Sequence, residues 1–376
     1  MVFWVLLIAA LPRWAGAQDI TVSLTGGYLC SLAPKWRYMQ APMAGVDASV
    51  SWDLSGREYW HRWWHIPTFG FRANYTYIKD GIAGDRLAVT GFVQSPIWRS
   101  EKLDLGRLHP KPSPHYLYWE ADAGLACYAL PYELHPYEQN DFIGTMLNCQ
   151  LQLGVGYRRT APDGSAWQLA AKIVHNSNGQ LTDHNKGLNF VQGELGWRLA
   201  PSRPKPAARR PLADTAAGYG GALTDFHPTL FLAYAPSVVM SRHPDHSSRL
   251  YYYAHTAQVG CKLHADPCLA FGAALDMMYN YSHPELYAWA GSGYGGRAYL
   301  GVSGFVEPRW GPLSLRAGVG GYLPGCTSEL NDENYYERFG IYYHFGEEGR
   351  WSAGVAMKLH KARIDYIEWT LAADLF

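Results

Sequence analysis

Trp167–Leu199 reads WQLAAKIVHNSNGQLTDHNKGLNFVQGELGWRL, and the spacing of its apolar residues decides the fold. Trp167, Leu169, Ala171 and Ile173 recur at every second position, and His175 and Ser177 continue that row. Gln168, Ala170, Lys172, Val174 and Asn176 fill the alternate positions. A period of two is the signature of a β-strand, whose successive side chains point to opposite faces. The return segment repeats the pattern: Asn189, Val191, Gly193, Leu195, Trp197 and Leu199 alternate with Phe190, Gln192, Glu194, Gly196 and Arg198. The 11 residues Asn178–Leu188 then form the loop of a hairpin. One face is apolar and the other carries Lys, Gln, Glu and Arg, as expected of a barrel with lipid outside and a wet interior.

The same alternation recurs through the chain. Ile20, Val22, Leu24 and Tyr28 share a face opposite Thr21, Ser23 and Thr25. Leu313, Leu315, Ala317 and Val319 alternate with Ser314, Arg316, Gly318 and Gly320. Trp351, Ala353, Val355, Met357 and Leu359 alternate with Ser352, Gly354, Ala356, Lys358 and His360. The expected fold is all-β: a single-chain antiparallel transmembrane β-barrel of about 16 strands, with 12 or 14 as the other counts. Working back from a C-terminal strand with apolar face Ile367, Trp369, Leu371, Ala373 and Leu375, 281–297 and 323–333 become long outer loops. Residues 308–311 and 346–350 become short inner turns.

Residues 200–225, APSRPKPAARRPLADTAAGYGGALTD, break the rhythm. Such a Pro/Arg-rich stretch reads as a solvated linker or loop. The expectation is one barrel over 18–376 that includes this loop, since an open sheet edge is not tolerated in lipid. The N-terminus carries an apolar run, Val2–Leu11, followed by Ala15-Gly16-Ala17. That run is about half the ~20 residues a transmembrane helix needs. It reads as a signal peptide over 1–17, which implies export.

Formal net charge is zero, so bulk electrostatics gives no reason to expect nucleic acid. Composition, 15% aromatic and 17% charged with 39 Gly, suits a sandwich as well as a barrel. The six cysteines, Cys30, Cys127, Cys149, Cys261, Cys268 and Cys326, show no metal-type spacing. A disulfide between Cys261 and Cys268 and a set of free thiols both remain open. His61 and His65 in WHRWWHIP sit in what reads as a turn entering a strand, and the tryptophans suit a headgroup-level aromatic belt. SRHPDHSS, 241–248, reads as an outer loop.

Chemistry concentrates on the first hairpin. A serine hydroxyl becomes a useful nucleophile when a base takes its proton, and histidine is the usual base near neutral pH. His175 and Ser177 share one strand face, and Asn189 faces the same way at the start of the returning strand. Side chains directly opposite in a hairpin lie ~5 Å apart, so Asn189 is within reach of the ring. A carboxamide oxygen there fixes the imidazole tautomer, as the third member of a triad does. Backbone N–H groups at Asn178 and Gly179, or the Asn178 amide, are candidates to meet a developing oxyanion. All three polar residues lie on the lipid-facing wall, which points to a substrate within the membrane.

The string HNSNGQLTDHNKGLN resembles the motif of the outer-membrane lipid A deacylase family, through His175, Ser177, Asn178, Asn185, Gly187 and Asn189. The upstream run NDFIGTMLNCQLQLGVGYR is similar to the strand that precedes this motif in longer members, and HKARIDYIEW to their ending. The resemblance implies an outer-membrane serine esterase that removes an ester-linked acyl chain from lipid A of lipopolysaccharide. His175 would be the base, Ser177 the nucleophile, Asn178 an oxyanion residue and Asn185 a support. Asn189 departs from the glutamate of short members, which affects how strongly the histidine is activated. With asparagine at that position the motif is also similar to outer-membrane phospholipases A, although Gln180 stands where those enzymes carry arginine. No cofactor is implied, and calcium enters only with the phospholipase alternative. A porin-like barrel without catalysis is the third reading. Partners are the lipid substrate and outer-membrane lipids, with oligomeric state left open.

Overall fold

The computed structural model describes residues 19–30, 40–101, 113–134, 140–179, 187–199, 227–242, 249–282, 298–323, 334–360 and 363–375, except positions 55, 57, 80, 82 and 141. The expected signal peptide, Asn185, Cys326, residues 243–248 and the 200–225 segment lie outside the described residues. Sixteen strands are present among those described. The first eight are β1 (Asp19–Cys30), β2 (Ala41–Asp53), β3 (Thr68–Ile78), β4 (Arg86–Arg99), β5 (His115–Tyr128), β6 (Leu147–Thr160), β7 (Ala166–Ser177) and β8 (Leu188–Arg198). The second eight are β9 (His227–Arg242), β10 (Arg249–Asp266), β11 (Leu269–Asn280), β12 (Ala298–Trp310), β13 (Leu313–Tyr322), β14 (Tyr335–Phe345), β15 (Trp351–His360) and β16 (Arg363–Asp374).

The strand number is as expected, but the sheet closes twice, not once. β1–β8 form one closed barrel and β9–β16 another. β8 pairs back onto β1, from Thr21 opposite Arg198 to Cys30 opposite Asn189. β16 pairs back onto β9, from Ile367 opposite Val238 to Asp374 opposite Phe231. Each closure removes the two edges that lipid would leave unpaired. In chain order, residues 200–225 fall between β8 and β9. Alternation reports which way side chains point and not which strand an edge joins, so it cannot reveal where closure occurs.

The faces follow the sequence. Ile173, Val191, Leu195 and Trp197 are exposed on the first barrel, whereas Gln168, Lys172, Gln192, Glu194 and Arg198 are buried inside it. Val319, Ile341, Val355, Trp369 and Leu371 are exposed on the second. The expected loops 281–297 and 323–333 fall between strands, as does the 346–350 turn, while β12 runs on to Trp310 and leaves only Gly311–Pro312 as its turn. The register of β15 against β16 shifts between Lys358 and Leu359, which turns Leu359 inward although its parity is outward.

The interiors are packed with paired charge. In the first barrel the Arg72 guanidinium donates to Glu120 at 2.7 and 3.0 Å and to Asp122 at 2.6 Å. The Lys172 ammonium lies 2.7 Å from Glu120 and also pairs with Glu194, which accepts from Ser23 at 2.9 Å and Gln168 at 2.7 Å. In the second barrel Arg338 pairs with Glu368 at 2.8 Å and Asp276 at 3.2 Å, Arg316 with Glu307 at 2.8 Å, and Lys262 with Asp374 at 2.8 Å. Buried charges persist only when paired and hydrogen-bonded. These networks fill both lumens with mutually compensated groups.

The WHRWWHIP stretch departs from the expected turn by forming a short helix, α1 (Tyr59–Trp63), between β2 and β3. His61 is buried, whereas His65 is exposed beyond the helix end with φ 56°, so the two rings do not share a helical face. No group of three potential metal ligands occurs among the described residues. Cys30, Cys127, Cys149, Cys261 and Cys268 are free thiols, so Cys261 and Cys268 do not form the disulfide left open above.

Candidate active site

β7 and β8 are hydrogen-bonded neighbours in the first barrel. Ile173 and Val191 make the wall apolar below their ends, and His175 and Asn189 follow in the same outward rows. The His175 Nδ1 and Asn189 Oδ1 atoms lie 2.8 Å apart. An amide oxygen only accepts, so this contact fixes the proton on Nδ1 and leaves the Nε2 lone pair free. That is the tautomer a general base requires.

Ser177, two residues on, is the last residue of β7 and is only 5% exposed although its parity is outward. The chain turns at once beyond it. Gly179 takes φ 68°, a left-handed conformation that glycine adopts without steric cost. Its N–H is thereby directed back onto the Ser177 hydroxyl oxygen at 3.4 Å. Asn178, between them, is buried. The structure thus brings His175 to Asn189 and the Gly179 N–H to Ser177, and it leaves the Asn185 expectation outside the described residues.

The far end of the β7–β8 connection is held by another connection. Gly187, with φ 72°, donates its N–H to the Phe142 carbonyl at 3.1 Å. Phe142 belongs to the loop between β5 and β6, where the sequence reading placed the start of a strand. β6 begins only at Leu147, so Asn140 and Phe142–Met146 of the NDFIGTMLN run are loop. Asn140 is buried there, donating to the Leu130 carbonyl at 3.1 Å and accepting from Ile143 N–H at 3.3 Å. The period-two rule fails over Asn140–Met146, and that failure was the available signal.

Three solved structures to which the chain is similar are each under 20% identical to it. The crystal structure of the outer membrane enzyme PagL is 18% identical, covering 47% of this chain and 97% of that one, with a TM-score of 0.33. Neisserial surface protein A is 11% identical, covering 49% and 97%, with a TM-score of 0.30. The siderophore receptor PirA from Pseudomonas aeruginosa is 10% identical, covering 96% and 60%, with a TM-score of 0.27. No curated protein matches the sequence. Two family models do match: the lipid A 3-O-deacylase (PagL) model over residues 44–198, and the acyloxyacyl hydrolase C-terminal domain model over residues 227–374. The first match ends with the β7–β8 hairpin and the second spans the β9–β16 barrel, and with both the chain belongs to the PagL lipid A deacylase family.

Proposed function

We propose that this chain is an outer-membrane serine esterase that removes an ester-linked acyl chain from lipid A. The observation that carries the reading is the 2.8 Å contact between His175 and Asn189 on a lipid-facing wall, beside Ser177 on the same strand. Family membership supports the ester hydrolase class and the substrate. Ser177 Oγ attacks the acyl carbonyl while His175 Nε2 takes the hydroxyl proton. The tetrahedral oxyanion is met by the Gly179 N–H, already directed at the nucleophile, and by Asn178. His175 returns the proton to the leaving alcohol oxygen of lipid A as the acyl C–O bond breaks. Water, deprotonated by the same ring, then attacks the acyl-serine carbon; the Ser177 Oγ–C bond breaks, Oγ takes the proton back from His175, and the fatty acid is released. Asn189 holds the ring throughout, and Asn185 supports the loop. No metal or cofactor enters any step.

The substrate is reached from the outer leaflet, so the reaction belongs at the barrel wall and not in the lumen. The experiment is expression of the wild type and Ser177→Ala in an outer membrane, with mass spectrometry of lipid A and phospholipids. Loss of one acyl chain from lipid A with wild type alone supports the proposal. Lysophospholipid in its place, with calcium dependence, replaces it with the phospholipase reading. No change in either lipid from a well-inserted wild type overturns both.

A further inference from the structure

We infer that Asn140 is a positioning residue for this reaction, acting on the histidine through Asn189; the inference rests on the function proposed above. Two backbone hydrogen bonds cross the β5–β6 connection: Tyr132 N–H donates to Ile143 O at 2.9 Å and Glu133 N–H to Gly144 O at 3.0 Å. Met146 N–H donates to the Glu133 carboxylate at 2.9 Å. Asn140 closes the middle of this loop, with both ends of its carboxamide engaged and only 1% of its surface exposed. Ile143 and Phe142 are buried beside it.

The product of this packing is a fixed carbonyl. Phe142 O receives the Gly187 N–H, two residues before Asn189. Gly187 sits at φ 72°, so its peptide orientation sets how the chain enters β8, and Leu188 is buried immediately after it. Asn189 in turn carries the oxygen 2.8 Å from His175. A neutral amide holds an imidazole by about half the strength of a carboxylate. A weak orienting bond depends on placement, because no charge attraction corrects a small displacement. The Asn140 and Phe142 hydrogen bonds therefore supply by placement what Asn189 lacks in charge. Asparagine is required at 140 because it donates and accepts at once; aspartate there sets a carboxylate against the Leu130 carbonyl.

The test is a double-mutant cycle in the full chain, with deacylation rates measured on purified lipid A. Asn140→Ala is expected to lower kcat by ~10- to ~100-fold, the scale of a sub-ångström to ångström misplacement, with KM changed by less than about threefold. In an Asn189→Asp background, where a charge-assisted bond holds the ring, the same substitution is expected to cost several-fold less. Equal losses in both backgrounds overturn the inference, since a loss of folded barrel lowers both alike. Heat-modifiable mobility on gels reports the folded fraction. If Asn140→Ala does not insert, Asn140→Ser takes its place in the cycle with the same expected pattern. A wild type inactive on lipid A removes the reading on which the inference stands, which is a different result from an active enzyme with additive losses.

Discussion

His175 Nδ1 and Asn189 Oδ1 stand 2.8 Å apart across the β7–β8 hairpin, on the wall of the first barrel that faces lipid. The bond selects a tautomer without supplying negative charge. Asn189→Asp, nearly isosteric, adds that charge and stabilises the imidazolium formed when Ser177 is deprotonated. The expected outcome is a severalfold higher kcat and an acid limb of the pH–rate profile displaced upward by about one unit, because the ring must lose its proton to act as base. Asn189→Leu is expected to lower kcat about tenfold or more by releasing the tautomer. A profile identical to wild type in both variants would rule out an orienting role for Asn189.

Lys172 sits on the inner face of the same β7 strand, between Glu120 and Glu194. Glu120 retains its direct bonds to Arg72 if the lysine is lost, whereas Glu194 keeps the neutral donors Ser23 and Gln168 and the more distant charge of Arg72. Lys172→Met is expected to destabilise the first barrel by ~3–5 kcal/mol, the scale for stranding one member of a buried pair. Glu194→Gln added to it should restore part of that loss. Urea unfolding followed by gel mobility measures both, and an unchanged midpoint for Lys172→Met would mean that water already reaches this lumen.

Much of this was legible from residues alone, and the limits have physical causes. The parity of Trp167–Ile173 and Asn189–Leu199 gave the outward and inward faces because the side-chain period is a property of the strand itself. The encounter of His175 with Asn189 followed from that parity. Closure into two barrels was not legible, because the pairing of β8 with β1 joins residues as far apart as Thr21 and Arg198 and leaves no local mark. The lumen networks were hidden for the same reason: Arg72, Glu120 and Lys172 come from three strands. Ser177 was placed by parity on an exposed wall, but it is buried at the end of β7, where the chain turns at Gly179. The Phe142–Gly187 contact joins two loops, where periodicity carries no information.

His61 gives a pH dependence outside the membrane-spanning strands. Burial, reinforced by the positive charge of Arg62, pushes its imidazole down from 6.5 to about 4. The folded protein thus binds this proton more weakly than the unfolded chain does. The stability it contributes is complete above pH 6.5 and is lost progressively as pH falls through about 4. The thermal midpoint of the first barrel is expected to drop between pH 7 and pH 4, and to drop less in His61→Phe. Parallel declines in the two proteins would assign the acid sensitivity to other groups.

Paired charge in both lumens argues against a conducting pore. Lys172, Arg72, Glu120 and Glu194 are nearly inaccessible inside the first barrel, as are Lys262, Glu307, Arg316 and Arg338 inside the second. A polar lining conducts only where water and ions find a continuous path, and these side chains occupy that path with one another. Purified protein reconstituted into planar bilayers is expected to give no stable conductance steps. Lys172→Ala should leave that baseline unchanged, because Arg72 still bridges Glu120 and Asp122 across the same interior. Regular steps from the wild type, sensitive to substitutions at these lumen positions, would revive the porin-like reading and place a transport role beside the esterase chemistry on the outer wall.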